Sequence, residues 1–180
     1  MTPMTRGLRS LQHTQTLWLL GIASLLMIAL SDYLKWHWQL QLLDGIWNPL
    51  EARELVAQLN LEQKNHHLWF TTTVDVILPL VVAAFMAAAT LRAFPRWGRY
   101  LAIAPLLAVP LDLSEGVIQV LVLTDTADWL AIKAYTSPVK SSGYLIGLFA
   151  VGLSLCKWLF TLVRSKFLGR AIDDSSTSQP

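Results

Sequence analysis

The sequence predicts an all-α integral membrane protein, a bundle of four transmembrane helices with a short amphipathic helix in the first outer loop. Three observations predict it. Hydrophobic residues make up 54% of the 180 residues and charged residues only 14%, against about 25% charged in a soluble domain. The apolar residues gather into four stretches near the roughly 20 residues a helix needs to cross about 30 Å of hydrocarbon. Tryptophan, which favours the lipid–water interface, occurs eight times.

The spans fall at residues 16–33, 68–91, 100–123 and 143–163. The first and fourth read cleanly. The second carries Asp75 and the third carries Asp112 and Glu115, so these two rest on the uncharged runs around their acids. Basic residues flank the spans unevenly. Arg6 and Arg9, the link residues Arg92, Arg96 and Arg99, and Arg164, Lys166 and Arg170 lie on one side in short segments. Lys35, Arg53, Lys64, Lys133 and Lys140 lie on the other, spread among acids over two longer loops. The excess of Lys and Arg marks the cytoplasmic side, so both termini are expected in the cytoplasm and the chain in the inner (plasma) membrane. The N-terminal run can also be read as a signal peptide ending near Ala29-Leu30-Ser31, whose cleavage would leave three spans. Its continuation into Tyr33, Trp36 and Trp38 favours a retained span with an aromatic anchor. Residues 1–170 are expected to form one transmembrane domain, and the Ser/Thr-rich end, residues 171–180, a disordered tail.

The first outer loop, from Lys35 to His67, holds the amphipathic helix. Ala52, Leu55, Val56 and Leu59 fall on one helical face. Pro49 suits the first turn and Glu51 the positive end of a helix dipole. This segment, residues 50–59, is expected to lie on the outer interface or cap the bundle.

Composition also excludes functions. The net charge of +2, with no basic stripe among aromatics, gives no footprint for a nucleic-acid partner. The single cysteine, Cys156, permits neither an intramolecular disulfide nor a thiolate metal site, and reads as a small apolar residue. No phosphate-binding glycine loop or hydrolase motif is present. His37, His66 and His67 lie near the outer interface beside Trp36, Trp38 and Trp69 and read as anchors. Haem ligation would need histidines facing each other inside the bundle. No cofactor and no metal is expected.

Ionisable residues inside spans cost a few kcal/mol each and are the default functional candidates. Asp112 and Glu115 are three apart and share a helix face, which Gln119 extends. At 1.5 Å per residue, Asp75 and Glu115 lie at similar depth on antiparallel spans. Lys140 at the start of the fourth span has a stem long enough to reach them. The candidate binding pocket is therefore Asp75, Asp112, Glu115, Gln119 and Lys140. Three carboxyls and one ammonium in a low dielectric cannot all stay ionised, and the pattern predicts that at least one acid holds a proton near neutral pH. Pro79, four residues after Asp75, frees a backbone carbonyl that adds to a polar lining.

An acid early in the second span, Asp-x-x-Glu in the third and a Lys opening the fourth resemble a group of bacterial four-span membrane proteins. Asp75, Asp112, Glu115 and Lys140 match over residues 68–150, with Gly116 where that group has Asn. The resemblance implies the four-span fold and an intramembrane pocket, and brings no reaction. A fainter likeness is to four-span sterol isomerase-like proteins, which also keep acids within the bundle.

The leading expectation is an outward-facing intramembrane carboxylate pocket for a small amphiphilic, lipid-like or cationic ligand. The rivals are a membrane enzyme, isomerase or hydrolase, using paired carboxylates, and an assembly subunit whose polar residues face a partner helix. The bilayer is the necessary partner; a lipid or small amphiphile, a second copy and a partner membrane protein are the others the pattern admits.

Overall fold

A computed structural model describes the backbone of residues 14–176 and the side chains of residues 14–164. The described regular structure is all helical: α1 (Thr14–His37), a 3-10 turn (Leu43–Gly45), α2 (Pro49–Gln58), α3 (Leu61–Ala93), α4 (Gly98–Leu123) and α5 (Leu130–Ser176). α1, α3, α4 and the Leu130–Arg164 part of α5 are each long and apolar enough to cross a membrane, so the chain is a multi-pass membrane protein. They run up and down as a bundle in which α3 touches α1, α4 and α5. The end carrying α2 is called the lid end here, and the end carrying residues 94–97 the link end. The expected tail, residues 171–180, overlaps the end of α5, and residues 177–180 lie outside those described, as does the basic N-terminal segment before Thr14.

Local chemistry sets the helix starts. Asn60 and Gln63 form a reciprocal capping box at the head of α3, with the Gln63 N–H donating to Asn60 Oδ1 at 2.9 Å and the Asn60 N–H donating to Gln63 Oε1 at 3.0 Å. These satisfy two amides that the first helical turn leaves without partners. α2 begins with Asn48, whose Oδ1 accepts from the Leu50 N–H at 3.0 Å, followed by Pro49 in the first turn. α3, α4 and α5 continue through Pro79, Pro105, Pro110 and Pro138 without a break in helical assignment.

At the lid end α2 buries Ala52 and Val56, with Leu55 and Leu59 packed alongside, against Leu43, Ile118, Val122, Leu123 and Leu130. The amphipathic face thus caps the bundle. Trp38, just past α1, stacks on His66 at 4.6 Å and meets the edge of Trp69 at 5.4 Å, which anchors the loop to the head of α3. At the link end the packing relies on small side chains: Ala83, Ala87 and Ala88 of α3 and Ala102 and Ala108 of α4 are buried. A Cβ at Gly147 of α5 would lie 2.7 Å from Met86 Sδ and 3.0 Å from Pro105 Cβ, and one at Gly143 would lie 2.9 Å from the Ala104 carbonyl oxygen. Gly143 and Gly147 form the small-xxx-small pattern that lets membrane helices approach backbone to backbone. Leu145, Leu148, Phe149, Leu159 and Phe160 are exposed on the outside of α5, as hydrocarbon contact requires. Cys156 is exposed among them.

Candidate functional site

α4 presents Asp112, Glu115 and Gln119 on one face, as their three- and four-residue spacing requires. α5 presents a longer stripe, Lys133, Thr136, Ser137, Lys140 and Tyr144. The two stripes face each other beneath the 3-10 turn, which adds Asp44. Lys140 Nζ stands at the centre, donating to Glu115 Oε2 at 2.7 Å, Asp112 Oδ1 at 2.9 Å and Asp44 Oδ2 at 3.0 Å. Glu115 is fully buried, and its second oxygen accepts from Thr136 Oγ1 at 2.7 Å and Ser137 Oγ at 2.9 Å. The Tyr144 hydroxyl donates to Asp112 Oδ2 at 2.8 Å. Gln119 Nε2 donates to Asp44 Oδ1 at 2.9 Å, and Thr71 of α3 approaches the amide oxygen at 3.5 Å. Lys133, 1% exposed, spends its ammonium on the backbone carbonyls of Leu43 and Ile46.

The cluster is closed by its own members. Oxygens of Asp44, Asp112 and Glu115 lie within 4.8 Å of one another, a spacing that suits the oxygen shell of a hard cation. The Lys140 ammonium fills that centre in place of a metal. A buried ion pair stabilises only when its remaining lone pairs and protons are hydrogen-bonded, and here hydroxyls, an amide and a phenol supply those bonds. The arrangement therefore holds α4, α5 and the 3-10 turn together as a polar knot.

Of the expected pocket residues, Asp112, Glu115, Gln119 and Lys140 meet in this knot. Asp75 does not bond to it. Asp75 lies within electrostatic range of Asp44, Asp112 and Lys140, yet among the described residues it has no hydrogen bond or ion pair. It lines a separate groove of about 240 Å³ between α3 and α4, with Thr71, Val76, Leu113, Gly116 and Val117. The groove opens on the side of the bundle, where Val76 and Val117 are exposed. The residue expected to be Asn in the third span is Gly116, and its missing side chain leaves that wall open: a Cβ there would meet only Thr71 Cγ2, at 3.6 Å.

Sequence reasoning missed Asp44, Lys133, Thr136, Ser137 and Tyr144. The α5 residues were findable: 133, 136, 137, 140 and 144 make a helical stripe once α5 is started at Leu130 instead of at the apolar run beginning with Gly143. Lys140 accordingly lies about 15 Å down α5 from Leu130 at 1.5 Å per residue, which brings it level with the acids without an extended reach. Asp44 carried no signal, because only the folded loop brings it over the bundle. His66 stacks on Trp38. His67 is 1% exposed, and among the described residues neither ring nitrogen has a hydrogen-bond partner. Lys157 reaches the end of α3, donating to the Ala93 carbonyl over the Phe94 ring.

Fold and site together define a multi-pass membrane protein built around a buried carboxylate–lysine cluster. Comparison with known protein families, with curated proteins and with solved structures found no match.

Proposed function

We propose that this chain is an inner-membrane protein with both termini cytoplasmic, which takes a small lipid-like amphiphile with a cationic head into the side groove at Asp75. The observation that carries the reading is Asp75 itself, a half-buried carboxyl in a membrane helix with no hydrogen-bond or ion-pair partner among the described residues. An acid inside a span costs a few kcal/mol unless it is paired or hydrogen-bonded. A cationic or hydrogen-bond-donating head in the groove supplies that partner, while Val76, Leu113 and Val117 accept the tail. In this reading Asp112, Glu115, Gln119 and Lys140 do not touch the ligand; by gripping one face of α4 they hold the adjoining face, with Leu113, Gly116 and Val117, in place as the groove wall. The orientation rests on Arg92, Arg96 and Arg99 in the short link, which would put the lid end outside.

The test is purification of the full chain in mild detergent, with mass spectrometry of what stays bound. A cationic or amine-bearing amphiphile is expected on the native chain and is expected to be lost from Asp75→Asn, with the thermal unfolding midpoint of the detergent-solubilised protein little changed. Identical retained lipids on both forms would sink the proposal. The side opening of the groove favours one other occupant, the helix of a partner membrane protein. A cysteine placed at Val117 that cross-links to another protein in native membranes would establish that assembly role. A reporter fused after Pro180 that is active only outside the cytoplasm would overturn the orientation.

A further inference from the structure

A second cavity lies apart from the Asp75 groove. It lies at the lid end, between α2, the head of α3 and the link after α4, with a volume of about 350 Å³. That falls in the size range of small-ligand sites, about 300–1,000 Å³. Its floor is apolar, with Val56 and Val122, and its rim carries two cations and two anions, Arg53, Lys64, Asp125 and Asp128. The charges are paired across the rim. Arg53 Nε donates to Asp128 Oδ2, and Lys64 Nζ donates to Asp125 Oδ2 at 3.2 Å.

We infer that this cavity is a binding site for a small zwitterionic group, carrying a primary ammonium, whose N–H donors a quaternary one lacks, and an anionic oxygen group such as phosphate.

The unspent hydrogen-bonding capacity of the rim supports this. A guanidinium has five N–H donors and an ammonium three. Among the described residues Arg53 uses only Nε and Lys64 makes only the one bond to Asp125. The remaining donors are available to an anion without breaking either pair. Asp125 Oδ1 likewise has no partner among the described residues, and Asp128 Oδ1 takes only the Leu130 N–H at 3.1 Å. An ammonium can bridge these two oxygens. All four side chains are partly or largely solvent-exposed, and exposed pairs contribute only about 0–1 kcal/mol, so the rim can share its charges with a ligand at little loss. A purely anionic ligand would meet the two carboxylates unfavourably, and a purely cationic one would meet Arg53 and Lys64. Only a group bearing both signs matches the whole rim.

Two sources present this chemistry at a membrane surface, the head group of phosphatidylethanolamine and a free zwitterion such as phosphoethanolamine. Lys64 lies about 16 Å along α3 from Asp75, so the two sites can be tested separately. The full chain would be placed in phosphatidylcholine nanodiscs doped with phosphatidylethanolamine or with phosphatidylglycerol, and retained lipid counted by native mass spectrometry, with and without free phosphoethanolamine. Phosphatidylethanolamine is expected to be retained over phosphatidylglycerol. Retention is expected to weaken by about tenfold in Arg53→Gln/Lys64→Gln and, independently, in Asp125→Asn/Asp128→Asn, each measured on an Asp75→Asn background so that lipid held at the side groove does not contribute. Displacement by free phosphoethanolamine would assign the binding to the head group alone; resistance to it would assign it to the lipid. Binding of phosphoethanolamine without retained lipid would assign the site to a soluble zwitterion. Equal retention of the two lipids together with no binding of free phosphoethanolamine, or no effect of either pair of substitutions, would overturn the proposal.

Discussion

The two ends of the bundle are held together by different physics. At the lid end a few strong polar contacts do the joining: Lys140 grips three acids, Lys133 grips two loop carbonyls, and two exposed ion pairs tie the rim. At the link end the polar contacts are exposed ones, such as Arg92 with Thr14 and Lys157 with the Ala93 carbonyl, and inside the bundle alanines and glycines let helix backbones approach closely. The difference shows where cost and tolerance reside. A buried polar knot is vulnerable to the loss of one partner, because the rest are left unpaired. A small-residue seam is vulnerable to added volume.

The sharpest way to break the comparison is Lys140→Ala. It leaves Asp44, Asp112 and Glu115 without their shared cation, and the expected loss is about 3–5 kcal/mol, the range for breaking a buried pair. Unfolding in detergent against a denaturant series measures it. Adding Glu115→Gln to the lysine substitution is expected to recover part of the loss, since one uncompensated charge is then removed. A double variant as unstable as the single one would show that the knot does not act through charge.

At the opposite end Gly147→Leu is expected to cost about 1–3 kcal/mol by overpacking, because even a Cβ there already crowds Met86 and Pro105. The same unfolding series checks it, and a neutral outcome would mean that the seam can slide apart. Glu115→Gln alone is expected to cost less than Lys140→Ala. Thr136 and Ser137 hydroxyls both donate and accept, so they can turn to receive the new amide N–H bonds while the amide oxygen keeps Lys140.

The smallest expected effect is the rim pair. The Arg53 hydrogen bond, helped by the Leu130 N–H, holds the Asp128 carboxyl below its ordinary value of 3.8. A lowered carboxyl stabilises the fold in full above that ordinary value, and the contribution is lost as pH falls through the folded-state value. Acidification below about pH 4 is therefore expected to loosen α2 slightly, followed by proteolysis of the lid. Arg53→Gln is expected to show a smaller acid response, as an exposed pair is worth little.

Much of this protein was legible in its residues. Span number followed from hydropathy, because a bilayer requires about 20 apolar residues per helix whatever the packing. The lid helix was marked by Pro49, Glu51 and the apolar face at 52, 55, 56 and 59. The grouping of Asp112, Glu115 and Gln119 followed from helix spacing, a local property. The start of α5 was hidden, since Lys133, Thr136, Ser137, Pro138 and Lys140 depress hydropathy where the helix buries polar side chains against α4 and the loop. The separation of Asp75 from the knot, the arrival of Asp44 over the bundle and the closing of three acids around Lys140 were decided by tertiary structure alone. Sequence spacing fixes which residues share a helix face, but the rotation of one helix against another, and the path of a loop across them, depend on packing between segments far apart in the chain.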